Sequence, residues 1–447
     1  MFSKILIANR GEIAVRVIRA CREMGIRTVA IVSEADREAL HAYLADEVVC
    51  VGGPQAAESY LNIQNILSAA VTTGADAIHP GFGFLSENAE FAEMVKSCSI
   101  TFIGPSPEAI RSLGDKAAAK ETMAANGVPT VPGSDGEVLS FNECKEQAEI
   151  IGFPLLIKAS AGGGGRGIRA VSSIDELEPA YIQAGDEAMK FFGNGGVYME
   201  RLLINPRHVE VQIMADDFGN VVHMGERDCS MQRRRQKVIE ETPSPAVDSS
   251  LRARMGEAAV RAAKATGYTG AGTVEFLLDS DKSFYFMEMN TRIQVEHTIT
   301  EMVTGIDLIK KQIEVAAGMP LGLAQEDITF SGHAIECRIN SEIPERNFMP
   351  AGGTVTHLYI PGGFGVRFDT ALYQGYTLPM FYDNMIGKLI AHGKDREEAI
   401  AKLKGALREL IIDGVDTNCV YQHLLLSGEK FASGGYHTGT LEEKTDD

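Results

Sequence analysis

The sequence between Gly272 and Glu288 predicts a β-hairpin with two opposed acidic side chains, an arrangement that few folds can accommodate. Gly272–Leu278 is typical of a strand and carries Glu275 inside its apolar pattern. A plausible four-residue loop, Ser280–Ser283, leads into a second apolar run that is followed by Glu288. With this loop length Glu275 lies directly opposite Glu288, and two carboxylates in that position repel each other. A divalent cation between them would remove the conflict, so the hairpin predicts a metal site.

The residues that follow this run strengthen the prediction. Glu288, Asn290 and Arg292 are spaced two residues apart, and in an extended chain they would project to the same side. Acid and amide oxygens suit a hard cation such as Mg²⁺. The neighbouring guanidinium suits a phosphate or a carboxylate-like anion. An edge strand with a solvated charged face is the alternative, but the paired acids with the amide and the arginine favour a metal–polyphosphate site.

The overall charge narrows the class of partner. The chain of 447 residues has a formal net charge of −19, which argues against general binding to nucleic acid or anionic membranes. A local basic cluster, Arg233–Arg235, can still attract an anionic substrate.

The seven cysteines form no CxxC pair, so we expect a reducing compartment and neither a disulfide framework nor a zinc site. The start of the chain is too short and polar for a signal peptide, and no apolar run approaches a membrane span, so a soluble protein is expected.

The N-terminal region alternates the patterns of strands and helices. Lys4–Ala8 is a short apolar strand, Glu12–Met24 has the apolar spacing of a helix, and Thr28–Val32 is a second strand. This order opens a parallel α/β sheet, and it continues through Ala75–His79 and Ile100–Gly104. The turn after the first strand lacks the glycine spacing of a dinucleotide site, which argues against NAD binding there.

A glycine-rich segment lies between two further predicted strands. Pro154–Ser160 is largely apolar and includes Lys158, while Ile168–Val171 follows the glycines of Ala161–Gly167. The glycines formally match GxGxxG, but that match alone is weak, and no Walker pattern is present. Because a strand follows them, they form a hairpin loop and not a strand-to-helix turn. Such a loop can fold over phosphates through its backbone N–H groups, and Lys158 supports this interpretation; a mobile surface linker is the alternative.

The C-terminal region has a different pattern. His333–Arg338, Gly353–Ile360 and Met385–Ile390 alternate apolar and polar residues as strands do. Arg396–Ile411 then carries an apolar stripe at helical spacing. These elements predict an antiparallel α+β domain.

Together these elements resemble the biotin carboxylases, the ATP-grasp subunits of acetyl-CoA carboxylase in bacteria and plastids, over essentially the whole chain. The motifs that carry the resemblance are Ile7–Ala14, His79–Asn88, the glycine segment, Glu226–Arg234, Met287–His297 and Tyr382–Leu389. The resemblance implies three domains. A Rossmann-like parallel α/β domain would span residues 1–114, an ATP-grasp domain 115–330 with a mobile lid at about 130–203, and an antiparallel α+β domain 331–447.

The implied activity is that of an ATP-dependent carbon–nitrogen ligase. Bicarbonate would be activated by ATP as carboxyphosphate, and its carboxyl group would pass to a ring nitrogen of biotin. The implied cofactors are ATP and Mg²⁺ or Mn²⁺, with the biotin attached to a separate biotin carboxyl carrier protein. Carboxyltransferase subunits would then form malonyl-CoA for fatty acid synthesis. The resemblance also suggests a homodimer in the cytoplasm, or in the plastid stroma if the source is a plant, with no nucleic-acid or membrane partner.

The resemblance also implies roles for individual residues. The catalytic residues would be Lys237, Arg292, Glu296 and Arg338; among them, Glu296 resembles the base that deprotonates bicarbonate, and Arg292 would stabilise the biotin anion. The metal ligands would be Glu275, Glu288 and Asn290, in agreement with the hairpin argument. The residues implied in binding the nucleotide or lining the biotin pocket are Lys116, Lys158, Gly164, Gly165, Glu200, Arg201, Leu202, Leu203, His208, Gln232, Arg235, Glu275, Glu288 and Val295.

Two positions depart from the pattern of the family. Arg235 stands where His or another ring-bearing residue is usual, and it would keep a cation near the polyphosphate. Arg201 stands where Lys is usual, at a hinge whose contacts to adenine are expected to be largely through the backbone.

Three alternatives stay open at this point. Another ATP-grasp ligase, such as a carbamoyl phosphate-forming enzyme, is disfavoured by the implied catalytic residues. A nucleotide-binding regulatory protein with an inactive site is disfavoured by the intact acids Glu275, Glu288 and Glu296. A biotin carboxylase subunit of a pyruvate or propionyl-CoA carboxylase system is the third, because the residues do not give the final acyl acceptor.

Overall fold

The computed structural model describes residues 1–134, 136–159, 168–192 and 197–443. The chain forms two compact units. The first unit comprises Met1–Val128, Arg207–Phe276 and Glu288–Asp447, and the second comprises Pro129–Pro206 and Leu277–Met287. Among the described residues, no helix is both long enough and apolar enough to cross a membrane.

The chain begins with a parallel sheet covered by helices. The strands are β1 (Lys4–Ile7), β2 (Arg27–Ser33), β3 (Glu47–Gly52), β4 (Ala77–His79) and β5 (Thr101–Phe102). The helices are α1 (Gly11–Glu23), α2 (Leu40–Leu44), α3 (Ile63–Thr73), α4 (Ala89–Ser97), α5 (Pro107–Gly114) and α6 (Lys116–Ala125), with short 3₁₀ turns at Glu34–Asp36 and Ala56–Glu58. The sheet order is β3-β2-β1-β4-β5, and every pair is parallel.

Apolar spacing explains why this region folds as predicted. Helix α1 buries Ile13, Val17 and Cys21, which recur at helical intervals, against the buried strand residues Ile5 and Ile7. Strands β1 and β2 are apolar along nearly their whole length, as expected for a parallel sheet with both faces covered. The predicted Rossmann-like α/β architecture of the N-terminal region is therefore confirmed.

The second unit is a small layer of helices on a three-stranded sheet. Its elements are α7 (Phe141–Ile151), β6 (Leu155–Ala159), β7 (Ile168–Val171), α8 (Ile174–Phe192) and β8 (Val197–Arg201). The sheet order is β7-β6-β8, with antiparallel pairs on both sides of β6. The pairing of β6 with β7 confirms that the glycine segment joins two antiparallel strands, although the glycines themselves, including Gly164 and Gly165, lie outside the described residues.

The longer strands of the remaining chain form a large sheet. Its strands are β9 (Arg207–Ala215), β10 (Val221–Arg233), β11 (Gln236–Thr242), β12 (Gly270–Leu278), β13 (Phe284–Asn290), β14 (His333–Asn340), β19 (Val366–Thr370) and β21 (Met385–Gly393). They run in the order β13-β12-β9-β10-β11-β14-β21-β19. Two of the strands predicted in the C-terminal region, at His333–Arg338 and Met385–Ile390, thus extend the same sheet that contains the strand with Glu275.

Helices and short strands surround this sheet. The helices are α9 (Ser249–Ala265), α10 (His297–Thr304), α11 (Leu308–Ala316), α12 (Arg396–Glu409), α13 (Cys419–Ser427) and α14 (Glu429–Ala432), with 3₁₀ turns at Gln325–Asp327 and Pro344–Arg346. The short strands are β15 (Glu342–Ile343), β16 (Met349–Pro350), β17 (Gly353–Thr354), β18 (His357–Tyr359), β20 (Thr377–Leu378) and β22 (Ile411–Asp413). The single strand predicted at Gly353–Ile360 is therefore two short strands, each paired elsewhere.

The hairpin loop between β12 and β13 differs from the prediction by one residue. The N–H of Asp279 donates to the carbonyl of Ser283 at 2.8 Å, and the N–H of Lys282 donates to the carbonyl of Asp279 at 3.1 Å. Lys282 adopts a left-handed conformation with φ +67°. The loop is thus a three-residue connection that ends in a left-handed residue, a common hairpin geometry that the expected four-residue loop did not anticipate.

Candidate active site

The centre of the site is Lys237, which lies among three carboxylates of the first unit. Its Nζ is 2.6 Å from Oε2 of Glu210, 3.1 Å from Oε1 of Glu275 and 2.6 Å from Oε1 of Glu296. Strand β11 brings Lys237 into the sheet opposite Gln232 of β10. Strands β9 and β12 supply Glu210 and Glu275, and Glu296 is the residue before helix α10. Four distant parts of the sequence therefore meet at one ammonium group.

Mutual attraction in this buried cluster keeps Lys237, Glu275 and Glu296 charged. Burial lowers the pKa of Lys237, but Cys229 and the surrounding carboxylates raise it more, so that it lies well above its ordinary value. Burial raises the pKa of Glu296, but Lys237 and Arg338 outweigh burial and hold that pKa well below the usual range. Glu275 behaves in the same way, and its pKa is lowered chiefly by Lys237 and His208. Both carboxylates are ionised at neutral pH.

Arg338 holds the other oxygen of Glu296. Its Nη2 donates to Oε2 of Glu296 at 3.1 Å, and its Nε donates to Oε1 of Glu240 at 2.6 Å. Arg338 lies on β14 directly opposite Lys388 on β21, and Glu240 lies on the neighbouring strand β11. Glu296 thus has one cation at each oxygen, with Lys237 on Oε1 and Arg338 on Oε2.

Two amide side chains donate hydrogen bonds to Glu275, and one of them belongs to the predicted metal ligand Asn290. Its Oε1 accepts hydrogen bonds from Nδ2 of Asn290 at 2.8 Å and from Nε2 of Gln294 at 2.9 Å. Nε2 of His208 lies 2.9 Å from its other oxygen. Possible ligand atoms of His208, Glu210 and Glu275 lie within 4.8 Å of one another, a span that one cation could bridge. The carboxylate oxygens of Glu210 and Glu275 and the amide oxygen of Asn290 are ligands that a hard cation prefers, so the residues present fit Mg²⁺.

Glu288, the other predicted metal ligand, is paired with a predicted phosphate-binding lysine. Nζ of Lys116 donates to Oε2 of Glu288 at 2.8 Å, and the lysine side chain is 80% exposed. An exposed ion pair of this kind contributes little to stability and can exchange partners readily. Both groups therefore stay accessible to a metal or a phosphate.

Arg292 lies at the edge of the cluster. Its Nε donates to Oε2 of Glu87 at 3.0 Å, its Nη1 donates to Oε1 of Gln294 at 3.0 Å, and its Nη2 donates to Oδ1 of Asn290 at 3.2 Å. The last contact agrees with the prediction that Asn290 and Arg292 project to the same side. Val295, in the same segment, is half-buried, and its carbonyl accepts a hydrogen bond from Nζ of Lys388 at 2.7 Å.

The β10–β11 hairpin carries two further predicted site residues of the first unit, Gln232 and Arg235. Gln232 is half-buried and pairs with Lys237 across the ladder. Arg235 is exposed at the tip of the hairpin, where Arg234 and Arg235 form a two-residue turn with φ +49° and +66°. A contact between Arg235 and a nucleotide stays a prediction.

The predicted nucleotide residues of the second unit lie on and next to adjacent strands. Lys158 of β6 forms an ion pair with Glu200 of β8, its neighbour in the sheet. The N–H of Leu202 donates to the carbonyl of Pro154 at 2.9 Å, which ties the segment after β8 to the start of β6. Nη2 of Arg201 lies 3.9 Å from Oδ2 of Asp279, and the side chain of Leu203 is buried. Lys158 and Glu200–Leu203 are thus close together within this unit.

Several residues of the cluster were not predicted from the sequence. Arg227 is fully buried; its Nε donates to Oε1 of Glu210 at 2.6 Å, and its Nη1 donates to Oε1 of Gln212 at 2.7 Å. Glu87 and Gln294 lay inside recognised motifs without an assigned role. A signal for these contacts was present in the sequence of β9, where Glu210 and Gln212 alternate with apolar residues. Polar residues in a buried strand require partners, so this pattern could have predicted a buried polar cluster.

The comparisons with family models cover nearly the whole chain. Residues 1–110 match the model "Biotin carboxylase, N-terminal domain". Residues 115–324 match "Carbamoyl-phosphate synthase L chain, ATP binding domain". Residues 336–443 match "Biotin carboxylase C-terminal domain".

Curated relatives and solved structures agree with these matches. Biotin carboxylase 1 of Bacillus subtilis (strain 168) is 56% identical over 443 residues, covering 99% of this chain and 98% of the relative. The chloroplastic biotin carboxylase of Arabidopsis thaliana is 55% identical over 438 residues, covering 98% and 82%.

Two solved structures are similar over the whole fold. The first is the biotin carboxylase subunit of pyruvate carboxylase, with a TM-score of 0.93 and 49% identity over 100% of both chains. The second is the biotin carboxylase domain dimer of 2-oxoglutarate carboxylase from Hydrogenobacter thermophilus in complex with MgADP, ADP and bicarbonate, with a TM-score of 0.86 and 48% identity over 99% and 97%. The chain therefore belongs to the biotin carboxylases, a family of ATP-dependent ligases with an ATP-grasp fold.

Proposed function

We propose that this protein uses ATP and bicarbonate to carboxylate biotin on a separate biotin carboxyl carrier protein. The observation that carries the proposal is the Glu296 carboxylate, which is buried and held between the cations of Lys237 and Arg338. The two cations can bind an anion, and the ionised carboxylate between them can take a proton from that anion at the same place.

Binding of bicarbonate would change the basicity of Glu296. In the structure Lys237 and Arg338 both engage this carboxylate and lower its pKa, which makes it a weak base. An anionic substrate competes for the same two cations, and every contact that they transfer to the substrate raises the pKa of Glu296. The residue therefore becomes a better general base when bicarbonate is present. Deprotonated bicarbonate attacks the γ-phosphorus of ATP, and ADP leaves as carboxyphosphate forms.

The remaining predicted residues are assigned to nucleotide, metal and biotin. Lys116, Lys158, His208 and the segment Glu200–Leu203 would bind ATP, together with Gly164, Gly165, Gln232 and Arg235. Glu275, Glu288 and Asn290 would hold Mg²⁺, which neutralises charge on the polyphosphate when bound. Arg292 would stabilise the biotin anion that accepts the carboxyl group. Among the contacts described, its guanidinium donates to Glu87, to two neutral side-chain amide oxygens and to a backbone carbonyl.

The wider setting follows from the family. The chain would have domains at residues 1–114, 115–330 and 331–447, with a lid at about 130–203. Two copies of the chain would form a homodimer, because a relative of known structure is a dimer. Carboxyltransferase subunits would use the carboxylated carrier to form malonyl-CoA for fatty acid synthesis. A subunit of a pyruvate carboxylase is the alternative, since one similar structure comes from such an enzyme. The expected location is the cytoplasm, or the plastid stroma if the source is a plant.

The test is ATP hydrolysis by the purified chain. We expect slow hydrolysis alone and faster hydrolysis when bicarbonate and free biotin are both present, with carboxybiotin as a product. Equal stimulation by biotin in bicarbonate-free buffer would contradict the proposed chemistry. Bicarbonate-dependent formation of carbamoyl phosphate from an added nitrogen donor would favour the other ATP-grasp activity, and the absence of any ATP turnover would favour a regulatory protein.

A further inference from the structure

Lys388 is a fully buried lysine whose ammonium group contacts a backbone carbonyl. Its side chain has 0% relative exposure, and Nζ donates to the carbonyl of Val295 at 2.7 Å. Nζ also lies 3.1 Å from Oε1 of Glu12, at the start of helix α1. Keeping a cation in such a site costs free energy unless it is paired. Burial lowers the pKa of Lys388, but Glu12, Glu336 and other acids raise it more, so the group is charged.

The carbonyl that Lys388 holds belongs to a short segment with three residues of the active site. Between the end of β13 and the start of α10, Arg292 contacts Asn290, Gln294 contacts Glu275, and Glu296 contacts Lys237 and Arg338. This segment has no regular secondary structure of its own, so its backbone is not fixed by a ladder or by helical hydrogen bonds. The carbonyl of Val295 therefore has no partner in a ladder or a helix, and Lys388 supplies the donor.

The carbonyl of Val295 shares a peptide plane with the N–H of Glu296. Because the peptide unit is planar, fixing that oxygen restricts the direction in which the Glu296 side chain leaves the backbone. Lys388 itself is fixed, because it lies within β21 and pairs with Arg338 of β14. The same strand pair therefore positions both the cation that contacts Glu296 through its side chain and the cation that holds its backbone.

We propose that Lys388 is a positioning residue, which orients Glu296 and its neighbours for carboxylation by holding the carbonyl of Val295. This inference rests on the proposed function. Lys388 contacts no atom of the Glu296 side chain among the contacts described, so its effect is on geometry and not on charge transfer. Misplacing a catalytic group by a fraction of its contact distance can lower turnover about 10- to 100-fold without changing the affinity for a substrate bound elsewhere.

The primary experiment compares Lys388→Met with the wild type in the full-length chain. We expect kcat for carboxybiotin formation to fall about 10- to 100-fold while KM for MgATP changes less than about twofold. The ratio of ADP released to carboxybiotin formed should rise, because phosphoryl transfer and carboxyl transfer are no longer aligned. Lys388→Arg keeps a cationic donor and should restore part of the coupling.

Two further variants separate positioning from folding. Methionine leaves Glu12 without its cation, so the double variant E12Q/K388M, in which both charges are removed, should show the same loss of coupling in a more stable protein. Arg396→Met removes a comparable buried pair, because Arg396 contacts Glu241 at 2.7 and 2.9 Å, far along the chain from this segment. It should lower the melting temperature and leave the ratio of ADP to carboxybiotin unchanged.

The outcomes distinguish this inference from the function on which it rests. If the wild type forms no carboxybiotin, the proposed function fails and the inference fails with it. If the wild type is active and K388M keeps the wild-type ratio of ADP to carboxybiotin, only the inference is overturned. If Arg396→Met, at a similar loss of melting temperature, raises the ratio of ADP to carboxybiotin as much as K388M does, Lys388 would likewise be assigned to folding alone.

Discussion

At the scale of single residues, the site is a cluster of buried cations and carboxyl groups. Three cations, Lys237, Arg227 and Arg338, are surrounded by four carboxyl groups, of which Glu210, Glu275 and Glu296 contact Lys237. The fourth, Glu240, contacts Arg338. Burial raises the pKa of Glu240 to about 7, against the opposing effect of Arg338. Because Glu240 is partly protonated at neutral pH, the three cations face three other carboxyl groups, so the buried charges nearly cancel and the cluster stays compact.

The first prediction concerns Glu296. Replacing Glu296 by Gln keeps the volume of the side chain and removes its ability to accept a proton. We expect kcat to fall about 10²- to 10⁴-fold, the usual loss for a general base, while KM for MgATP changes little. Steady-state ATP hydrolysis with bicarbonate and biotin provides the measurement.

Glu301→Gln is the matched control on the same helix. Glu301 contacts Arg16 and Arg367 and lies outside the cluster, so this variant should keep its turnover. A large loss of MgATP affinity in Glu296→Gln, with normal turnover at saturation, would instead make Glu296 a structural partner of the arginines.

At the scale of elements, strand register creates a buried acidic pair that no local pattern announces. Glu240 of β11 lies directly opposite Glu336 of β14, and both side chains are fully buried. Glu336 accepts a hydrogen bond from Thr298, and burial raises its pKa to about 8 in spite of the nearby Lys388. The two acids repel each other across the ladder, so the folded protein favours retaining a proton on the pair.

The second prediction is the pH dependence that follows from Glu336. The folded protein retains a proton that the unfolded chain, with an ordinary pKa near 4.5, releases. Unfolding between about pH 5 and 8 therefore releases a proton, and this contribution to stability decreases as pH rises, by at most about 1.4 kcal/mol per pH unit. Glu336→Gln lacks the effect, so its melting temperature relative to the wild type should increase from pH 5.5 to pH 8.

Glu409→Gln provides the control for that series, because Glu409 is exposed at the end of α12. Its difference from the wild type should be nearly independent of pH. A difference for Glu336→Gln that is equally flat would show that Glu336 is ionised in the folded protein.

The third prediction concerns the turn of the β10–β11 hairpin. Arg234 and Arg235 both have positive φ, a conformation that costs roughly 1 kcal/mol or more for residues other than glycine and favours Asn-Gly in such turns. Arg235→Gly should therefore raise the melting temperature. If Arg235 also contacts the polyphosphate, the same variant should weaken MgATP binding, measured by calorimetry. Higher stability with unchanged affinity would remove Arg235 from the nucleotide site.

At the scale of the whole molecule, the sequence predicted the elements better than their assembly. Four strands of the parallel N-terminal sheet were predicted because each is a short apolar run, whereas the edge strand β3 was not predicted. The continuity of the large sheet was also not predicted, because β11 and β14 pair although about ninety residues separate Thr242 from His333. The resemblance to the family located Lys237, Glu296 and Arg338, but the roles of Glu210 and Arg227 became visible only when distant strands met.

The last prediction links metal binding to the stability of the whole chain. A ligand that binds only the folded state stabilises it by RT ln(1 + [L]/Kd), about 2.7 kcal/mol at a hundred times Kd. MgADP should thus raise the melting temperature of the wild type, and more than ADP with a chelator does. Glu288→Gln removes one ligand charge while its partner Lys116 stays exposed, so folding should be little affected. A tenfold loss of Mg²⁺-dependent affinity would reduce the stabilisation by about 1.4 kcal/mol.

Glu314→Gln, which removes a surface pair with Lys311, is the control and should keep the full Mg²⁺-dependent increase in melting temperature. An identical Mg²⁺-dependent increment in Glu288→Gln and the wild type would exclude Glu288 as a metal ligand, whatever its effect on turnover.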